Sequence, residues 1–281
     1  LSNEWGEAQS DDKGGGMKPE LSKCGFHQMG EILKLRYIEE QCQELHDNLE
    51  VHIKLTEDRA PSRRDDFKLE RPDARQWRRG EAELERGIWE EFNLKVPTSR
   101  KFFPDVCNRV VSYQVPLWSR KKDDDKGKFN KNWGAIDLVG IDDNSHPTVI
   151  EIKKDDSTEP PSRMLTEAVA YGIVLRRLWN LPESHFQAEW ATAIKKEKVP
   201  DLRKITLILM APEQYWNRCM GKAGNRGKVN NEGWISFKKL VNKLEEKGSF
   251  RIVFANLKYD PGTQRKFENF SAKKIDPWGL I

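Results

Sequence analysis

The chain has 281 residues, 37% hydrophobic and 33% charged, with a net charge of +4; that composition excludes a wholly disordered chain and gives only a slight pull toward nucleic acid. Its four cysteines, Cys24, Cys42, Cys107 and Cys219, are scattered without CxxC pairs, which points to free thiols in a reducing compartment and against structural zinc. No stretch of about 18 apolar residues and no apolar leader occur, so the expectation is a cytoplasmic protein without a membrane partner.

Residues 1–16, with their Gly14-Gly15-Gly16 run, read as a flexible leader, and residues 17–79 as an N-terminal extension to a domain over 80–281. Within the extension, Ile32 to Ile38 and Leu49 to Leu55 alternate apolar with polar residues, predicting two strands; Glu39 to Asp47 between them also fits a helix. Arginines crowd Pro61 to Arg79, interleaved with Asp65, Asp66, Glu70 and Asp73, and mark a boundary.

From Gly80 the period turns helical, with Glu81, Leu84, Glu85, Ile88 and Phe92 on one side and an end before Pro97. Strands are predicted at Arg109 to Trp118, Trp133 to Ile141 and Thr148 to Lys153, the last two joined by an Asp142 to Pro147 turn: an antiparallel meander. An amphipathic helix over Ser162 to Trp179 follows, then a buried strand at Ile205 to Met210. A helix through Phe237 and Leu244, stopped by Gly248, leads to a strand at Phe250 to Leu257. The predicted class is α/β, a central mixed β-sheet flanked by helices, in the order α-β-β-β-α-β followed by α-β.

The chemistry concentrates in two neighbouring strands. Asp137 stands between Ile136 and Leu138, while Glu151 and Lys153, two residues apart, share a face of the next strand. Carboxylates among Ile, Leu and Val cost several kcal/mol each unless compensated. Two such acids suit Mg²⁺, with Mn²⁺ as a substitute, and a lysine beside them suits a water nucleophile and phosphate charge. Together they specify phosphodiester hydrolysis.

These residues resemble the catalytic motif of the PD-(D/E)XK superfamily of restriction-endonuclease-like nucleases, over roughly Gly80 to Met210. The resemblance implies an α-β-β-β-α-β core, a metal-dependent nuclease acting on DNA, Asp137 and Glu151 as metal-binding acids, and Lys153 as the catalytic lysine. It also implies a further acid from the first core helix, Glu81 in preference to Glu85, and supporting groups at Glu167 and Tyr171. Ile136 departs from the motif, standing where the family often has proline.

Candidate nucleic-acid contacts are Lys154 and the basic, glycine-rich stretch with Arg218, Lys222, Arg226 and Lys228. The five histidines, among them His46, His52 and His146, show no ligand spacing. Three alternatives stand beside the nuclease: an inactive module binding nucleic acid or protein, a structural ion-pair network, and a toxin-like or defence effector. The sequence leaves a homodimer open.

Overall fold

The computed structural model describes residues 24–26, 38–59, 80–97, 99–116, 119–120, 129–130, 135–181, 186–195, 205–219, 231–248, 250–261 and 267–280. The arginine-rich segment and Lys222, Arg226 and Lys228 lie outside them.

Seven α-helices and eight strands are described: α1 (Ile38–Asp47), α2 (Leu49–Arg59), α3 (Glu81–Phe92), β1 (Arg109–Pro116), β2 (Ser119–Arg120), β3 (Phe129–Asn130), β4 (Ala135–Ile141) and β5 (Pro147–Ile152), followed by α4 (Pro161–Asn180), α5 (Phe186–Ile194), β6 (Ile205–Ala211), α6 (Glu213–Cys219), α7 (Asn231–Lys247), β7 (Phe250–Pro261) and β8 (Phe267–Ile275). A six-stranded sheet has the order β1-β4-β5-β6-β7-β8. The β1-β4-β5 half is antiparallel, β5, β6 and β7 run parallel, and β8 returns antiparallel. The fold is therefore a mixed α/β architecture, as expected.

The central strand β6, Ile-Thr-Leu-Ile-Leu-Met-Ala, is buried at every position, which explains its unbroken run of β-branched and aliphatic residues. Its Ile208 and Met210 join a core beneath α3 with Leu84, Ile88, Phe92, Leu138, Ile150 and Ile152. Its Leu207 and Leu209 join the opposite core with Val149, Leu165, Ala168 and Leu175 under α4, and Leu240 and Leu244 under α7. Helix α4 comes close to the sheet at Gly172, where a Cβ would stand 2.8 Å from the Phe250 ring and 2.9 Å from Leu207.

The predicted strand at Leu49 to Leu55 is instead the helix α2. Its buried stripe is Leu49, His52 and Thr56, at helical spacing, while Val51 is 47% exposed. Two of those three are polar, so counting apolar residues selects the wrong period. His52 is satisfied by the Cys24 carbonyl and Glu44, and Thr56 Oγ1 accepts the Phe26 N–H at 2.8 Å. Ile38, assigned to the end of an earlier strand, opens helix α1; the rest of that stretch lies outside the described residues.

The strand β8 had no counterpart in the sequence reading. It is an edge strand with only Phe270 fully buried, so it lacks the alternation that marks a half-buried strand. Among the described residues no helix is long and apolar enough to cross a membrane. All four cysteines are free thiols.

Candidate active site

The register of the antiparallel pair β4–β5 ends at Leu138↔Ile150. Continued by one step, it would pair Asp137 with Glu151. Instead the strands part, and the Ile152 N–H donates to Asp137 Oδ2 at 2.7 Å. On its other edge β5 stays paired to β6 through Glu151↔Leu209 and Ile152↔Met210. The parting leaves a half-buried carboxylate, Asp137, in a gap between two otherwise apolar strands.

Glu151 and Lys153 project toward α4, on the same face as Val149, because side chains alternate along β5. Glu151 is 2% exposed; its Oε1 accepts Lys153 Nζ at 2.9 Å, while its Oε2 is buried with no hydrogen-bond partner. Lys153 Nζ also reaches Glu159 Oε2 at 2.9 Å and Glu167 Oε2 at 3.4 Å. Glu167 binds Arg163 Nε at 3.0 Å through its other oxygen.

From the opposite face, α3 delivers two more acids. It begins after Gly80, whose φ of 115° is one that only glycine adopts without strain. Glu81 Oε1 accepts the Lys154 N–H at 3.4 Å. One turn on, the buried Glu85 accepts the Gln114 side-chain amide. Gln114 lies in β1 between Tyr113, paired to Leu138, and Val115, paired to Ile136, hence alongside Asp137. Its φ of 48° is unusual for a strand residue other than glycine.

Electrostatics bind these groups into one site. Burial raises the Asp137 carboxyl well above the usual range; Glu85 raises it further, and Lys153 and the Ile152 amide oppose. Glu151 is raised by burial and then by Asp137, against the pull of Lys153. Glu85 is pushed up to about 8 by burial, with Gln114 opposing. Burial works against the charge of Lys153, yet Glu151, Glu167, Asp137 and Glu159 hold its ammonium well above the ordinary lysine range. Burial also raises the Tyr171 hydroxyl, with Glu151, Glu167 and Asp137 adding to it.

The structure thus brings together Asp137, Glu151, Lys153, Glu81, Glu85, Glu167 and Tyr171. Lys154 adds its backbone to the site through Glu81, while its ammonium pairs with Asp156 at 3.2 Å. Arg218 is engaged differently: its Nη2 donates to the Ser157 carbonyl at 2.5 Å, tying down the β5–α4 loop. Sequence reasoning missed Gln114, Glu159 and Arg163. The signal that could have found two of them is the i,i+4 spacing of Glu159, Arg163 and Glu167.

Among the described residues no three His, Cys, Asp or Glu side chains form a ready-made metal-ligand group. The residues present nevertheless fit a divalent cation: Glu151 Oε2 is an orphaned buried oxygen, and burial raises the three neighbouring carboxyls of Asp137, Glu151 and Glu85, a shift that a cation would oppose. No protein-family model, curated protein or solved structure matches the chain.

Proposed function

We propose that this protein is a Mg²⁺-dependent endonuclease of the PD-(D/E)XK kind, hydrolysing phosphodiester bonds of DNA. The observation that carries the reading is the parting of β4 and β5, which sets the Asp137 carboxylate beside the Glu151–Lys153 pair. Once the two-residue strands β2 and β3 and the helix α5 are set aside as insertions, the order α3-β1-β4-β5-α4-β6 around that gap supports the reading.

Asp137 and Glu151 would hold the cation, with Glu85 or Glu81 completing its shell from α3. When bound, such a cation lowers the pKa of its water and neutralises charge on a phosphate. Lys153 keeps its proton under the surrounding carboxylates, so it orients the attacking water and stabilises phosphate charge rather than acting as a base. Gln114 holds Glu85, and Glu167 holds Lys153. Mn²⁺ would substitute for Mg²⁺, because oxygen donors suit both ions.

Incubation with plasmid and linear DNA tests the reading directly. Cleavage should require Mg²⁺ or Mn²⁺, stop in EDTA, and fall on the order of a hundredfold or more in Asp137→Ala, Glu151→Ala and Lys153→Ala. Cleavage that survives chelation or all three substitutions would exclude this site as its source.

A further inference from the structure

Lys153 is more heavily countered than its charge requires. Its side chain is 5% exposed and already meets Glu151 at 2.9 Å and Glu167 at 3.4 Å, yet Glu159 also binds it at 2.9 Å. The other Glu159 oxygen meets Arg163 Nε at 3.2 Å, so one carboxylate bridges two cations from different elements, the end of β5 and the first turn of α4. Glu159 is the most exposed of the three acids on Lys153, at 33%, and comes from the loop between those elements. That loop is pinned by its backbone: the Glu159 carbonyl accepts Tyr215 Oη at 2.9 Å, and the Ser157 carbonyl accepts Arg218. The backbone of the loop is therefore held by contacts that do not involve the Glu159 carboxylate.

We infer that Lys153 and Arg163 form a binding subsite for a phosphate group, which Glu159 occupies as a tethered stand-in until substrate displaces it. Two oxygens of a tetrahedral phosphate span nearly the gap of two carboxylate oxygens, and both cations bind either anion. The tether gives Glu159 a high effective concentration, so it competes with free phosphate and dampens binding of weakly held anions. Arg163 is then a phosphate-binding residue, and Glu159 sets a threshold that a polyanion contacting several further points passes more easily than a lone phosphate. The identity of that phosphate as a DNA phosphodiester rests on the nuclease reading; the anion subsite itself does not.

The test is titration of inorganic phosphate into the full chain in EDTA, followed calorimetrically, for wild type, Glu159→Gln, Arg163→Gln and the double variant. Glu159→Gln should bind phosphate roughly tenfold more tightly than wild type, and the double variant should lose that gain. Unchanged affinity in Glu159→Gln, or a gain that survives loss of Arg163, overturns the subsite. Parallel DNA cleavage separates the two readings. Absence of cleavage alongside the expected phosphate pattern retires the nuclease and keeps the subsite, whereas Mg²⁺-dependent cleavage with an unchanged phosphate affinity does the reverse.

Discussion

At the scale of single residues, burial holds the acids of the site above the ordinary carboxyl range. Glu85 has an ordinary carboxyl value of 4.5 and is held at about 8. Because its folded value is raised, the stability it contributes is complete below about pH 4.5 and is lost progressively as pH climbs to about 8. Glu85→Gln, which keeps an acceptor for Gln114, should therefore stabilise the metal-free protein at pH 7 by about 3 kcal/mol and flatten its pH dependence; urea unfolding between pH 5 and 9 measures this. Asp137 and Glu151 shift the same way, so Mg²⁺ affinity should rise with pH and binding should release protons, read as buffer-dependent heats in calorimetry. Asp137, Glu151 and Lys153 were legible in the sequence because charged residues inside apolar strands are costly and conspicuous. Glu159 and Gln114 were not, since a loop glutamate looks like any solvated acid and an amide in a strand advertises no partner 29 positions away.

At the scale of elements, period decided what the sequence disclosed. The strands β1, β4, β5, β6 and β7 and the helices α3, α4 and α7 fell close to where apolar spacing put them. Helix α2 did not, because two of the three residues in its buried stripe, His52 and Thr56, are held by hydrogen bonds rather than apolar contacts. Thr56→Val should cost about 1–3 kcal/mol, since it retains the shape of the residue and strands the buried Phe26 N–H; chemical denaturation against wild type checks the value. Gly80→Ala should cost about 1–3 kcal/mol through backbone strain and displace Glu81 at the start of α3. A loss of cleavage beyond what the lost stability explains would tie α3's entry geometry to the site.

At the scale of the molecule, the described part of the segment expected as an extension, residues 24–26 and 38–59, packs into the main core. Cys24, Phe26, Cys42, Leu45 and Leu49 belong to the same apolar cluster as α4, α7 and the sheet. Backbone carbonyls seal the seam: Lys243 donates to that of His46, and Arg177 to that of Glu57. Deleting residues 1–59 would uncover the apolar faces of α4 and α7, so the truncated chain should unfold at lower urea or associate, whereas the full chain should give one transition by tryptophan fluorescence. The sequence hid this because a boundary inferred from arginine-rich composition says nothing of which helix packs beyond it. The gap between β4 and β5 has one more consequence. The Ile152 amide answers to a side chain rather than to a neighbouring strand, so its proton resonance is a spectator placed at the heart of the site. Its shift will follow the charge state of Asp137 during titration and the arrival of a cation, allowing each to be watched by NMR without any turnover.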